Sequence, residues 1–322
     1  MTVTATRPEH LLWEERYRPS RLAEVIIPEH LKNTLLKSIQ EGGVPSMLFY
    51  SPSPGTGKTT VAKAVCEEQG IKPLFINASM DNSIEDIRVK VVQYATTASL
   101  FNQNKKVVIL DEGERLSVAA QDSLKGLVEQ VSSNCSFIIT CNAKSRIIEP
   151  LRSRCDEYDF VYSNQEQVQL AAQMCKRVFE ILALEGVTYD QASVIQVVKK
   201  FAPDNRKILK TLQVYAKGND NVIDAGILGR LAGADTAALI EAMKAKKYDE
   251  VKTWCVNNFE RLGDDFYGKT FKTFQSVLVP QSIPQAILIL NDYQRHHATV
   301  PDRYVHFLAL MTTLMMETSF KA

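Results

Sequence analysis

Residues Pro54-Gly55-Thr56-Gly57-Lys58-Thr59-Thr60 constrain this chain more than any other stretch. They follow an apolar run, Met47-Leu48-Phe49-Tyr50, and lead into Val61-Ala62-Lys63-Ala64-Val65, which has helical character. A strand, a tight glycine loop and a helix start, in that order, form a cradle for phosphate. Glycines let backbone N–H groups turn inward, and the helix N-terminus adds partial positive charge. Lys58 then reaches the β- and γ-phosphates, and Thr59 offers its hydroxyl to Mg²⁺. A plain glycine-rich turn needs no lysine followed by two threonines.

Around that loop, short apolar runs at 46–50, 74–76, 107–110, 136–140 and 157–161 alternate with helical stretches such as 29–41. Strands that alternate with helices predict an α/β core with a mainly parallel sheet. Val107-Val108-Ile109-Leu110 is apolar throughout, as a strand buried on both faces requires. After residue 162 the texture changes and no strand is expected. Helices are predicted at 164–185, 190–200 and 205–217, then at 235–246, 248–260, 265–278, 284–297 and 302–319. The expected division is a core at 1–162, a helical second domain at 163–232 and a C-terminal helical domain at 233–322. A length of 322 residues suits two or three domains.

The formal net charge of +1 means that nucleic acid could be met only through a local basic surface. The six cysteines form no C-x-x-C pair, which favours reduced thiols in a cytosolic compartment. Phe307 to Met316 is too short to span a bilayer, and a soluble protein with no membrane partner is expected.

The strand 107–110 runs into Asp111-Glu112. Strand ends of a parallel sheet face the ligand crevice. Asp111 there can orient Mg²⁺ through water, and Glu112 can polarise a water for in-line attack on the γ-phosphate. The next strand ends at Asn142, whose amide can bond both the γ-phosphate and the attacking water. Pro150-Leu151-Arg152-Ser153-Arg154-Cys155 follows. Arginine suits transferring phosphoryl oxygens, and a neighbouring subunit can supply it.

The order of glycine loop, D-E box, strand-tip Asn and S-R-C resembles AAA+ ATPases of the sliding-clamp-loader group, replication factor C and its relatives. Trp13-Glu14-Glu15-Arg16-Tyr17-Arg18-Pro19 resembles the opening segment of that group, and Leu116-Ser117-x-x-Ala120-Gln121 is also similar. Ser51-Pro52-Ser53-Pro54, Ser132-Ser133-Asn134-Cys135-Ser136 and the segment from Val222 to Leu228 resemble the large, ATP-hydrolysing subunits of T-even bacteriophage loaders. Motifs carry the likeness over 10–230; beyond 235 it rests on length and helical pattern.

The resemblance implies a P-loop AAA+ core, a helical lid and a C-terminal helical collar, with ATP and Mg²⁺ as ligands. It assigns Glu14, Glu15, Arg16, Tyr17 and Ile26 to the adenine pocket and Gly55, Thr56, Gly57, Lys58, Thr59 and Thr60 to the phosphates. Thr59 and Asp111 attend the metal, and Glu112 is the general base. Asn142 is the sensor, Arg154 the finger reaching an adjacent subunit, and Arg206 the lid arginine at the γ-phosphate. Arg88 and Lys90 would track a DNA backbone. The implied partners are a sliding clamp, a smaller loader subunit, other copies of the chain in a ring-like hetero-oligomer, and primer–template DNA. The implied location is the cytoplasm of an infected bacterial host, if the chain is phage-encoded. Pro52 stands where the usual first loop glycine falls. Proline cannot adopt glycine's conformations, although Gly55 and Gly57 remain for close phosphate approach.

Two other readings fit a P-loop chain: a different AAA+ machine, either a branch-migration motor or a protein unfoldase, and a non-hydrolysing scaffold subunit. A branch-migration motor would carry a winged helix at its C-terminus, for which no strand pair is expected. A non-hydrolysing scaffold subunit would lack parts of the site, and none of Lys58, Thr59, Asp111, Glu112, Asn142 and Arg154 is missing. A threading unfoldase would need an aromatic-apolar-Gly loop, absent between Phe75 and Arg88. His296-His297 read as surface residues.

Overall fold

A computed structural model describes residues 10–40, 43–80, 84–97, 106–231, 236–259 and 266–321. Residues 1–9, at the start of the expected core, lie outside that set. The first helical element among the described residues is a single turn, α1 (Trp13–Arg16), followed by α2 (Glu29–Gln40), β1 (Met47–Tyr50), α3 (Lys58–Glu68) and β2 (Leu74–Asn77). Next come α4 (Ile84–Thr96), β3 (Lys106–Asp111), α5 (Val118–Val131), β4 (Cys135–Cys141), α6 (Glu149–Arg152) and β5 (Asp156–Asp159).

These strands form one parallel sheet in the order β2-β3-β4-β1-β5. The two-residue side-chain period of a strand explains why the central runs are apolar throughout. Met47 and Phe49 of β1, Val107 and Ile109 of β3 and Ile138 of β4 pack on one face with α2 and α3. Leu48, Val108, Leu110, Phe137 and Ile139 pack on the other with α4 and α5. The sheet is therefore clothed on both faces, and only its strand ends are open to a ligand. β1, β3 and β4 are adjacent, so the loops that leave their C-terminal ends converge. The last core strand begins and ends earlier than the run 157–161 suggests.

α7 (Asn164–Leu184) begins at a capping box in which Ser163 accepts from the Glu166 N–H and Glu166 accepts from the Ser163 N–H. Then follow β6 (Thr188–Tyr189), α8 (Gln191–Phe201), α9 (Asn205–Lys217), β7 (Val222–Ile223) and α10 (Gly226–Leu231). The parallel β6–β7 pair corrects the expectation of no strand beyond residue 162. Two-residue strands are too short to leave a period in sequence. Asp190 and Asp204 cap α8 and α9 through the Ser193 and Lys207 N–H groups.

The chain divides into two compact units, Met1–Ile227 and Leu228–Ala322. The second contains α11 (Thr236–Lys244), α12 (Tyr248–Asn258), α13 (Phe266–Val277), α14 (Ile283–His296) and α15 (Arg303–Glu317). Its core gathers Leu239, Val251, Cys255, Phe274, Leu310, Met311 and Leu314. Asp302 caps α15 through the Tyr304 and Val305 N–H groups. His297 is not simply a surface residue: its Nδ1 lies 3.0 Å from the Tyr267 hydroxyl and its ring packs against Tyr267.

Candidate functional site

β1 hands the chain to the glycine loop, and the Ser51 N–H still bonds the Cys141 carbonyl at 3.1 Å. Gly55 (φ 70°) and Gly57 (φ 99°) then take left-handed conformations that fold the loop back on itself. Gly57 precedes α3 without a side-chain cap, so the first-turn amides have no side chain competing for them. Lys58, buried at the first position of α3, donates to the Ser53 carbonyl at 3.2 Å and to Asn142 Oδ1 at 2.8 Å. Burial holds its pKa below the ordinary lysine value, while Glu114 and Asp111 oppose that shift. The Thr56 hydroxyl is buried in the same loop with no bonding partner.

Thr59 Oγ1 and Thr140 Oγ1 both donate to Asp111 Oδ1, each at 2.7 Å. Glu112 sits just past β3 in a left-handed conformation (φ 57°), with its N–H 3.2 Å from Thr140 Oγ1. Its carboxylate is half-exposed, 3.6 Å from Arg115 Nε, and lines the cleft. Asn142 is gripped from both sides. Its N–H and Nδ2 donate to Glu114 Oε1 at 3.0 and 3.1 Å, while its Oδ1 accepts from Lys58. Glu114 is buried, and its Oε2 has no partner. The sequence reading passed over Glu114; the signal was a second acid two positions beyond Glu112, in a turn that folds under the strand ends.

Farther along, the cleft is lined by Glu14, Tyr17, Arg18, Val25 and Ile26 from the N-terminal segment. From the second domain come Met174, Arg177, Asn205, Arg206 and Leu209. Gly55, Thr56, Gly57, Thr59 and Thr60 line it as well. Glu15 and Arg16, expected here, do not line the cleft. On a single helical turn only residues three or four apart share a face. Glu14 and Tyr17 do so at the cleft wall; Glu15 reaches the cleft only through its pair with the lining residue Arg18, and Arg16 turns to Glu185 at 2.7 Å.

Arg206 lies 3.9 Å from Glu14 through Nε and is more than half exposed. Burial raises the Glu14 pKa, and Arg206 works against that rise. The start of α9 touches the glycine loop directly. The Asn205 N–H donates to the Gly55 carbonyl at 3.1 Å, and a Cβ on Gly55 would lie 1.8 Å from Asp204 Oδ1.

Arg154 is absent from the lining of its own chain's cleft and pairs with Glu129, Nε to Oε1 at 2.9 Å. Behind it, buried Gln121 holds the Leu116 and Arg146 carbonyls and the Ile148 N–H, tying α5 to the segment that leads to α6. Arg88 and Lys90 are both exposed on α4, while Ile87 and Val91 turn into the core.

Known proteins place this geometry in a family. Residues 47–162 match the ATPase family associated with various cellular activities (AAA), and residues 166–229 match the sliding-clamp-loader large subunit, AAA+ ATPase lid domain. The sliding-clamp-loader large subunit of Enterobacteria phage T4 is 35% identical over 99% of this chain and 100% of that protein. The same subunit of Escherichia phage RB69 is 32% identical over 99% and 100%. A replication factor C small subunit of Pyrobaculum islandicum is 34% identical over 70% of this chain and 67% of that one. Among solved structures, a RuvB Holliday junction branch migration motor of Thermotoga maritima aligns with a TM-score of 0.51 over 80% of this chain and 78% of that one. At 19% identity that likeness concerns the fold alone. A full-length match at this level, over a core and lid that meet at one phosphate cleft, makes the chain a member of the sliding-clamp-loader large subunit family of AAA+ ATPases.

Proposed function

We infer that this chain is the ATP-hydrolysing subunit of a DNA polymerase sliding-clamp loader, working in DNA replication. It would bind ATP to open or hold the clamp and place it on primer–template DNA. The observation that carries the reading is the convergence of Lys58, Thr59, Asp111, Glu112 and Asn142 on one cleft that Arg206 closes from the second domain. The uncapped start of α3, the two left-handed glycines and the unpartnered Thr56 hydroxyl suit a triphosphate.

The oxygen donors of Thr59 and Asp111 suit Mg²⁺, which takes few protein ligands. Among the described residues no cluster of three or more His, Cys, Asp or Glu side chains could hold a metal ion. When bound with the nucleotide, Mg²⁺ would neutralise charge on the phosphates.

Lys58 neutralises the phosphate end, and Asn142, fixed by Glu114, presents its amide to the γ-phosphate and the attacking water. Glu112 orients and deprotonates that water. Ile26, Val25 and Tyr17 form the wall for the base, with Glu15 and Arg16 behind it. Arg154, turned away from its own cleft, would complete the site of the adjacent subunit. Residues 1–162 form the ATPase core, 163–232 the lid and 233–322 the collar that joins subunits. The ring would include a smaller loader subunit and further copies of this chain. Arg88 and Lys90 would meet DNA phosphates, contacts that weaken steeply with salt and carry no base code.

Clamp- and DNA-stimulated phosphate release from the reconstituted loader tests the reading. Lys58→Ala should abolish nucleotide binding. Arg154→Ala should keep binding yet lose stimulated turnover by about 10³-fold or more, the usual worth of an arginine finger. Normal stimulated turnover in Arg154→Ala refutes the trans assignment. A wild-type chain that neither binds ATP nor responds to clamp and DNA refutes the whole.

A further inference from the structure

The N-terminal wall of the cleft is tied to the second domain as well as to the core, where Arg18 donates to Thr60 at 3.4 Å and the Leu22 N–H donates to Glu68 at 3.2 Å. Arg177, on α7 one turn beyond Met174, donates from Nη2 to the Tyr17 carbonyl at 2.7 Å and from Nη1 to the Glu24 carbonyl at 3.4 Å. Those carbonyls close the two ends of segment 17–24. On one flank of that segment stand Tyr17 and Arg18, on the other Val25 and Ile26, all lining the cleft. Arg177 lines the cleft too, and burial pulls its pKa below the ordinary arginine value.

Two further side chains from the same domain secure Tyr17 and the residues that precede the segment. Glu185, at the end of α7, accepts from the Tyr17 hydroxyl at 2.6 Å and from Arg16 at 2.7 Å. Buried Gln213, on α9, accepts from the Trp13 N–H at 3.1 Å and donates to the Leu11 carbonyl at 2.7 Å. None of these bonds to the second domain reaches the glycine loop. Burying a guanidinium is costly unless it bonds well, and a planar fork is the shape that spans two carbonyls.

We propose that Arg177 is a positioning residue for the nucleoside: from the lid it fixes both ends of the wall against which the base stacks, and it leaves the phosphate contacts alone. The proposal rests on the ATP-binding reading above. It makes base affinity a property of the joined core and lid, not of the core alone.

Calorimetric titration of the full chain with ATP and with ADP, in Mg²⁺, distinguishes the two ends of the ligand. In Arg177→Met both dissociation constants should rise by about tenfold or more, the worth of hydrogen bonds to a charged group. Their ATP-to-ADP ratio should stay within about twofold of wild type, since that ratio reads the γ-phosphate contacts. In the reconstituted loader KM for ATP should rise by a similar factor with kcat within about twofold. Arg177→Lys, which keeps the charge without the fork, should lie between the two and decides the matter if Arg177→Met does not fold. Unchanged affinities, or a fall in the ATP-to-ADP ratio alone, overturn the proposal. Wild type that binds neither nucleotide overturns the ATP-binding reading, and this inference with it.

Discussion

Asn142 is where the chemistry of single residues is most exposed to test. Its amide oxygen is committed to Lys58 and its N–H groups to Glu114, so its orientation is fixed before any ligand arrives. Glu114→Ala would release the N–H side of that amide and leave its oxygen on Lys58, while removing a carboxylate whose charge favours protonated Lys58. Turnover in the reconstituted loader should fall about tenfold or more with little change in KM for ATP, because hydrogen bonds to a carboxylate are worth about 1.5–3 kcal/mol. A steady-state ATPase titration checks this, and an unchanged kcat would remove Glu114 from the site. Lys58, Thr59, Asp111 and Glu112 were legible in sequence because each lies in a contiguous pattern with a known spatial consequence. Glu114, Arg177 and Gln213 were not, because their partners lie 28, 160 and 200 residues away along the chain. Nothing local distinguishes such a side chain from a solvated one until the fold joins it to its partner.

At the level of elements, α7 is the beam on which Met174 and Arg177 are carried to the cleft. Its start is pinned by the reciprocal Ser163–Glu166 bonds. Ser163→Ala should lower global stability by about 1 kcal/mol, the usual cost of losing such a cap. Urea unfolding with an unchanged m-value would measure it. The pattern Ser163-x-x-Glu166 was there to be read, as were the three central strands, whose apolar runs leave no other placement. The β6–β7 pair was hidden by its two-residue length, and the acidic residues of β5 blurred its bounds, not its presence, since only Tyr158 of Asp156–Asp159 is buried. Local pattern reports a face buried along its length; it is silent where one side chain does the burying.

For the molecule as a whole, burial of thiols sets an alkaline limit. Cys66, Cys141, Cys155 and Cys255 are pushed up to about 12 and Cys135 to about 11, in each case chiefly by desolvation. The model-peptide thiol titrates at 9.0, so above that pH the unfolded chain releases protons that the folded chain keeps. Stability from these groups is complete below pH 9 and drains away as pH rises toward the folded values. Each thiol accounts for up to about 1.4 kcal/mol per pH unit in that window. Melting temperatures recorded from pH 8 to 11 in reductant should fall steadily, and a flat profile would contradict the burial. The contact of Asp204 with Gly55 has a different reach. The cap of a lid helix fills the space beside a loop glycine, so the two positions are free to vary only together. Anyone exchanging lids between relatives by recombination inherits that pairing: a transplanted lid will seat only if it brings a residue shaped for the host's loop.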